Sequence, residues 1–129
     1  MAAPNIIAAS RVFGRTTANA AVNTQSSGQT NVLITNPPNS NAVFKVNTLV
    51  IGNRTSSSST VSVIFSTGAN LTGTNSFLVS NVTVPGNSTL SVIDSTNRIY
   101  LEEDDSIGVY TGGSAGSISA IASFEEIYA

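Results

Sequence analysis

The closing stretch "SISAIASFEEI" (Ser117–Ile127) constrains the fold more than any other part of the chain. Ile118, Ala120, Ala122 and Phe124 fall on one side, and Ser117, Ser119, Ser123 and Glu125 on the other. That period of two is the signature of a strand with one buried face. Ile121 breaks the polar side, as single exposed apolar residues commonly do. Val61, Val63 and Phe65 repeat the alternation, as do Leu90 with Val92 and Ile99 with Leu101. Between these runs lie clusters of Gly, Pro, Asn and Ser, spaced as in an all-β sandwich or barrel.

The pattern predicts strands near Ile6–Phe13, Asn31–Thr35, Ala42–Ile51, Thr60–Phe65, Phe77–Val84, Thr89–Ile93, Arg98–Leu101, Ser106–Tyr110 and Ser117–Ile127. The expected architecture is all-β: a single antiparallel β-sandwich, jelly-roll-like, of eight to nine short strands with little or no helix. With 129 residues, no internal repeat and no shift in composition, residues 1–129 read as one domain able to bury its own core. One run is ambiguous. In "VFKVNTLVIGN" Phe44, Val46 and Val50 share a face, but Leu49 and Ile51 are apolar on the other. Either both faces are covered or a bulge re-phases the strand.

Composition agrees with this reading. Only 9% of residues are charged, against about 25% usually, and Ser, Thr and Asn supply 49 of the 129. Thr and Val favour strands, Asn and Ser favour turns, and long exposed helices would need far more charge. Two prolines bar "NPPNS" (Asn36–Ser40) from a central strand. "VPGN" (Val84–Asn87) has Pro then Gly in the order of a type II turn. "RTSSSST" and "TGGSAGS" read as loops.

Catalytic tools are scarce. The chain has no His and no Cys, which removes the usual bases near neutral pH, thiol nucleophiles and most zinc sites. Lys45, the single lysine, sits between Phe44 and Val46 as an outward strand residue. Glycoside hydrolysis would need two acids on separate strands and aromatic subsites, yet there is no Trp and Asp94 is the one isolated acid. The expectation is a non-enzyme with no catalytic residues and no cofactor.

Glu102, Glu103, Asp104 and Asp105 are four of the seven acids. Adjacent acids without a Gly have the wrong spacing for a calcium loop, which alternates its ligands. The four are expected to form a polar turn between "RIYL" and "SIGVY", with Asp104 or Asp105 bonding nearby N–H groups, and to bind no metal. The five cations, Arg11, Arg15, Lys45, Arg54 and Arg98, are scattered at a net charge of −2, which argues against nucleic acid. Glu125 and Glu126 are either solvated edge charges or contacts to Arg11, Arg15 or Arg98 of a neighbouring subunit. Four Asn-X-Thr sequons, at Asn53, Asn70, Asn81 and Asn87, are the number that chance gives at this composition. The start "MAAPNIIAASRVFGR" lacks the pattern of a secretory signal, and no apolar run approaches membrane-spanning length. No membrane partner is expected.

The stretches "MAAPNII", "VFKVNTLVIGN", "VTVPGNSTLSVID", "IYLEEDDSIGV" and "SFEEI" resemble a family of small virion proteins of T4-like marine tailed phages, those of cyanobacteria and their relatives. The resemblance runs from Met1 to Ile127 and is weakest over Gln25–Gln29 and Asn53–Ser76. Members often carry Gly within the acidic turn, where this chain has Asp104. The resemblance implies a virion structural protein, assembled in the host cytoplasm and present in many copies. In that role it would be a capsid decoration or cement protein that stabilises the assembled head. Its partners would be other virion proteins, the major capsid protein or tail components, and copies of itself, with a trimer favoured. The N-terminal segment 2–13 and edge strands would supply the contacts. The alternative is a tail-fibre or neck-associated module touching fibre partners or host glycans, with "STGANLTGTNS" (Ser66–Ser76) as its candidate tip.

Overall fold

The computed structural model describes residues 6–24 and 31–129. The first residues of the expected N-terminal contact segment, and the weakly matching Gln25–Gln29, lie outside that range. Nine strands are described, in chain order β1 (Arg11–Asn19), β2 (Val32–Thr35), β3 (Ala42–Asn53), β4 (Ser59–Ser66), β5 (Asn75–Val84), β6 (Thr89–Ile93), β7 (Ile99–Leu101), β8 (Ser106–Thr111) and β9 (Ile118–Tyr128). Two short 3-10 turns, Ile6–Ala8 and Ala69–Leu71, lie among the described residues.

The strands form two antiparallel sheets. One has the order β1-β9-β3-β6, with β7 also on β3; the other has the order β2-β8-β4-β5. β6 and β7 run along successive halves of the same edge of β3, so they act as one strand interrupted by Asp94–Arg98. Counted that way, first pairs with last, second with seventh, third with sixth and fourth with fifth. This is the connectivity of a jelly roll, a long hairpin folded over into two sheets.

The sheets close on one apolar core. Leu49, Ile51, Ala120 and Ala122 from one meet Val61, Val63, Ile107 and Val109 from the other, all fully or almost fully buried. Their periodicity of two places them there. The ambiguous run in β3 is settled by a bulge. Against β9 the register steps from Val46↔Phe124 to Thr48↔Ser123, so Phe44 and Val46 point inward before it and Leu49 and Ile51 after it. Val50 is thereby turned outward beside Ile121, which is 51% exposed.

Several local expectations change. The first strand is Arg11–Asn19 rather than Ile6–Phe13, because its order comes from nine unbroken pairs with β9 and not from burial of its own side chains. β9 lies between β1 and β3, so Glu125 and Glu126 are not edge charges. In "VPGN" the left-handed residue is Asn87 at φ 56°, not Gly86. Gly86 is required for proximity instead: a Cβ there would lie 2.3 Å from the Ser56 carbonyl oxygen. The sequon asparagines follow the same logic. Asn70, Asn81 and Asn87 all hold positive φ, which Asn tolerates better than most residues. Asn53 is buried and spends its amide on the carbonyls of Ser57 and Val84.

Candidate functional site

Two of the outer strands, β1 and β5, are exposed over nearly their whole length, and they differ in kind. β5 is exposed over nearly its whole length, with Phe77 at 55%, but its register with β4 shifts twice and Asn81 turns left-handed within it. Bulges of this sort twist an edge away from further pairing. β1 is also exposed on both faces, yet its nine pairs with β9 are unbroken and it contains no proline.

Cross-strand pairing sorts the β1 side chains. Arg11, Phe13, Arg15 and Thr17 lie opposite Tyr128, Glu126, Phe124 and Ala122, so they share the inward face of that sheet. Their sheet-mate across the sandwich, β2, is only four residues long and ends at Asn36-Pro37-Pro38. β1 therefore overhangs, and a cleft of about 370 Å³ opens below it, lined by Leu33, Thr35, Pro37, Phe44, Phe124 and Tyr128 among others. Phe44 and Phe124 stack on its floor at 5.4 Å.

The rim is an arginine–aromatic cluster. Phe13 meets Tyr128 edge to face at 5.9 Å. The Arg11 guanidinium lies 5.0 Å from the Tyr128 ring centre, and that of Arg15 lies 5.6 Å from Phe13. Arg15 Nε forms an ion pair with Glu126 Oε1 at 3.3 Å, and the Tyr128 hydroxyl donates to the same oxygen at 3.2 Å. Burial and the neighbouring Glu126 carboxylate push the Tyr128 phenol up, against the pull of Arg11 and Arg15. It remains a protonated donor at neutral pH. The Arg15 side chain is 55% exposed and keeps most of its donors for a partner.

Of the residues expected to make contacts, the fold gathers Arg11, Arg15 and Glu126 at this rim. Glu125 points to the opposite face, where it accepts from Asn47 Nδ2 at 3.1 Å. Arg98 is exposed in the segment between β6 and β7, on the far side of the sheet. Phe13 and Tyr128 were not singled out in the sequence; the signal that could have found them is their spacing from Arg11, Arg15 and Glu126 on alternating strands.

The acidic run forms a turn. Asp105 N–H donates to the Glu102 carbonyl at 3.1 Å, and Glu102 N–H donates back to Asp105 Oδ2 at 2.9 Å. Asp104 has φ 70°, a conformation cheapest for Gly, and its carboxylate accepts the Ala69 N–H at 3.0 Å. Thus Asp104 takes the left-handed place and adds a tie that Gly could not make. Burial pushes the Asp105 carboxyl up, the Glu102 N–H opposes this, and the charges of Glu102 and Asp104 add to the rise. Among the described residues no three acids converge as metal ligands.

The loop Ser66–Ser76 is drawn back onto the protein. Ala69, Asn70 and Leu71 donate their N–H groups to Asp104, Thr35 and the Ser106 hydroxyl respectively. Leu71 is buried against β8, where Gly108 makes room for it.

No family model and no curated protein matches the chain. A chain from a crystal structure of the T13 IBDV viral particle is similar to it at a TM-score of 0.45 and 13% identity, over 93% of this chain and 32% of that one. The chain thus spans about a third of that neighbour's length. The jelly-roll connectivity described above rests on the strand pairing itself.

Proposed function

We propose that the chain is a structural protein of a tailed-phage particle, specifically a decoration protein that binds the assembled head. The observation that carries this reading is β1, a nine-residue edge strand with both faces exposed, bearing Val12, Phe13 and two arginines above an open cleft. An unprotected pairing edge of this length is a liability to a free monomer and an asset to a subunit with a neighbour. The sequence resemblance to small virion proteins points the same way, and the scarcity of catalytic side chains fits a non-enzymatic role.

In this reading the mechanism is mass action: a protein that binds only the assembled shell stabilises it in proportion to its occupancy. Copies associate with closed symmetry, as a trimer, alongside the major capsid protein. The tail-fibre alternative has Ser66–Ser76 as its candidate tip, and there Ala69, Asn70 and Leu71 commit their backbone donors within the chain.

Purified protein added to heads that lack it tests the proposal. The heads should bind it to saturation and then release DNA at a higher temperature. Binding to isolated tails or fibres but not to heads would refute it.

A further inference from the structure

We infer that β1 is a docking edge for an extended, acidic segment of a partner protein, which adds as a fifth main strand beside it. The inference names the partner chemistry for the assembly role proposed above and rests on that reading for the source of the segment.

Three observations favour this edge and this occupant. First, β1 pairs on one side only, with nine unbroken partners, whereas β5 is bulged. Alternate N–H and C=O groups of β1 therefore point away from β9 in a regular row, the template for strand addition. Second, the side chains flanking the cleft are Arg11, Phe13 and Arg15, at positions i, i+2 and i+4 of one face. An added strand would set its own alternate residues against them: a carboxylate, an apolar side chain, a carboxylate. The apolar one would lie beside Phe13, whose ring packs edge to face on Tyr128 at the wall of the cleft.

Third, charge selects against self-pairing. The chain carries −2 overall, yet this edge holds two of its five cations, of which one is offset by Glu126. A second β1 laid antiparallel over Arg11–Arg15 would bring arginines beside arginines, and like charges across strands destabilise. An acidic strand gains where a second copy loses, and guanidinium forks match carboxylates bidentately.

The probe is a blocked heptapeptide, Thr-Glu-Thr-Val-Thr-Glu-Thr, compared with the same peptide carrying lysine for both glutamates. The acidic peptide should shift β1 amide resonances and slow their hydrogen exchange, leaving β5 unchanged. Raising salt should weaken it, as screening requires. The double variant Arg11→Gln, Arg15→Gln should lose about tenfold in affinity, the modest effect expected of two solvent-exposed ion pairs. The salt titration on unmodified protein keeps the test valid should the variant misfold. Equal binding of the lysine peptide, shifts at β5 instead, no binding at all, or β1 protection from a concentration-dependent dimer without peptide would each overturn the inference. Because the peptide reads the edge alone, its failure leaves the head-binding experiment to judge the proposed function separately.

Discussion

Replacing Asn36 with Ala should cost more stability than any surface change in the chain. Asn36 is fully buried where β2 ends, β3 begins and β7 gives way to the acidic turn. Its side-chain nitrogen donates to the carbonyls of Ala42 and Leu101, each at 3.0 Å, and its side-chain oxygen accepts from the Ser40 hydroxyl at 2.5 Å. Its main chain is engaged as well, accepting from Asp104 N–H and donating to Asp105 C=O, both at 2.9 Å. Truncation leaves the main-chain bonds but removes a donor from two carbonyls on fully buried residues. Three side-chain hydrogen bonds in a buried setting are lost at about 1–1.5 kcal/mol each, so a loss of about 3–4 kcal/mol is expected. For a domain of this size that corresponds to a fall of roughly 10–15 °C in Tm. Urea unfolding followed by circular dichroism should show a lower midpoint with an unchanged slope. Ser40→Ala, which removes one bond and leaves Asn36 Oδ1 without its hydroxyl donor, should cost less, about 1–2 kcal/mol. A loss below about 1 kcal/mol for Asn36→Ala would refute the view that this amide joins the two sheets.

Other outcomes follow from the same geometry. Gly108→Ala should destabilise by about 1–3 kcal/mol, because the new Cβ would meet Leu71 Cδ1 at 2.4 Å and the Asn31 carbonyl at 2.9 Å. Adding Leu71→Ala should then cost less than it does in the parent, a coupling that a double-mutant cycle would measure. Asn87→Gly should be nearly neutral and Asn87→Ala should cost about 1 kcal/mol, since Asn87 holds φ 56°; equal effects in thermal melts would argue against that conformation. The Asp105 carboxyl is raised in the fold, so the folded state binds its proton more tightly than the unfolded state. Its contribution is therefore present at low pH and declines as pH rises from the unfolded value, about 3.9, through the higher folded one. Asp105→Asn keeps an acceptor for the Glu102 N–H and removes this decline, so the variant's urea midpoint should gain on the parent's between pH 3.5 and pH 7.

The sandwich was legible because burial writes itself into alternation. Ile118, Ala120, Ala122 and Phe124 mark β9, and the same period marks β4, β6 and β7. Where burial is not the cause, the sequence was silent. "RTTAN" in β1 has the composition of a loop and becomes strand through pairing with β9, a contact about a hundred residues away. In β3 the conflicting phase of Val46 and Leu49 was visible as a choice between two explanations, and only the register against β9 selects the bulge. The acidic run was read as a turn from its spacing, but its tie to the loop at Ala69 joins residues 35 apart and leaves no local trace. Likewise Arg11, Arg15 and Glu126 were candidates by charge alone. What makes them a rim is the brevity of β2 opposite, a property of a different segment.

A reconstruction of the phage particle at a resolution that traces side chains tests the central claim most directly. The account predicts this jelly roll on the outer surface of the head in tens to hundreds of copies, with its β1 edge paired to a strand of a neighbouring protein. Finding the chain confined to the tail or fibres, or on the head with β1 bare to solvent, would contradict it.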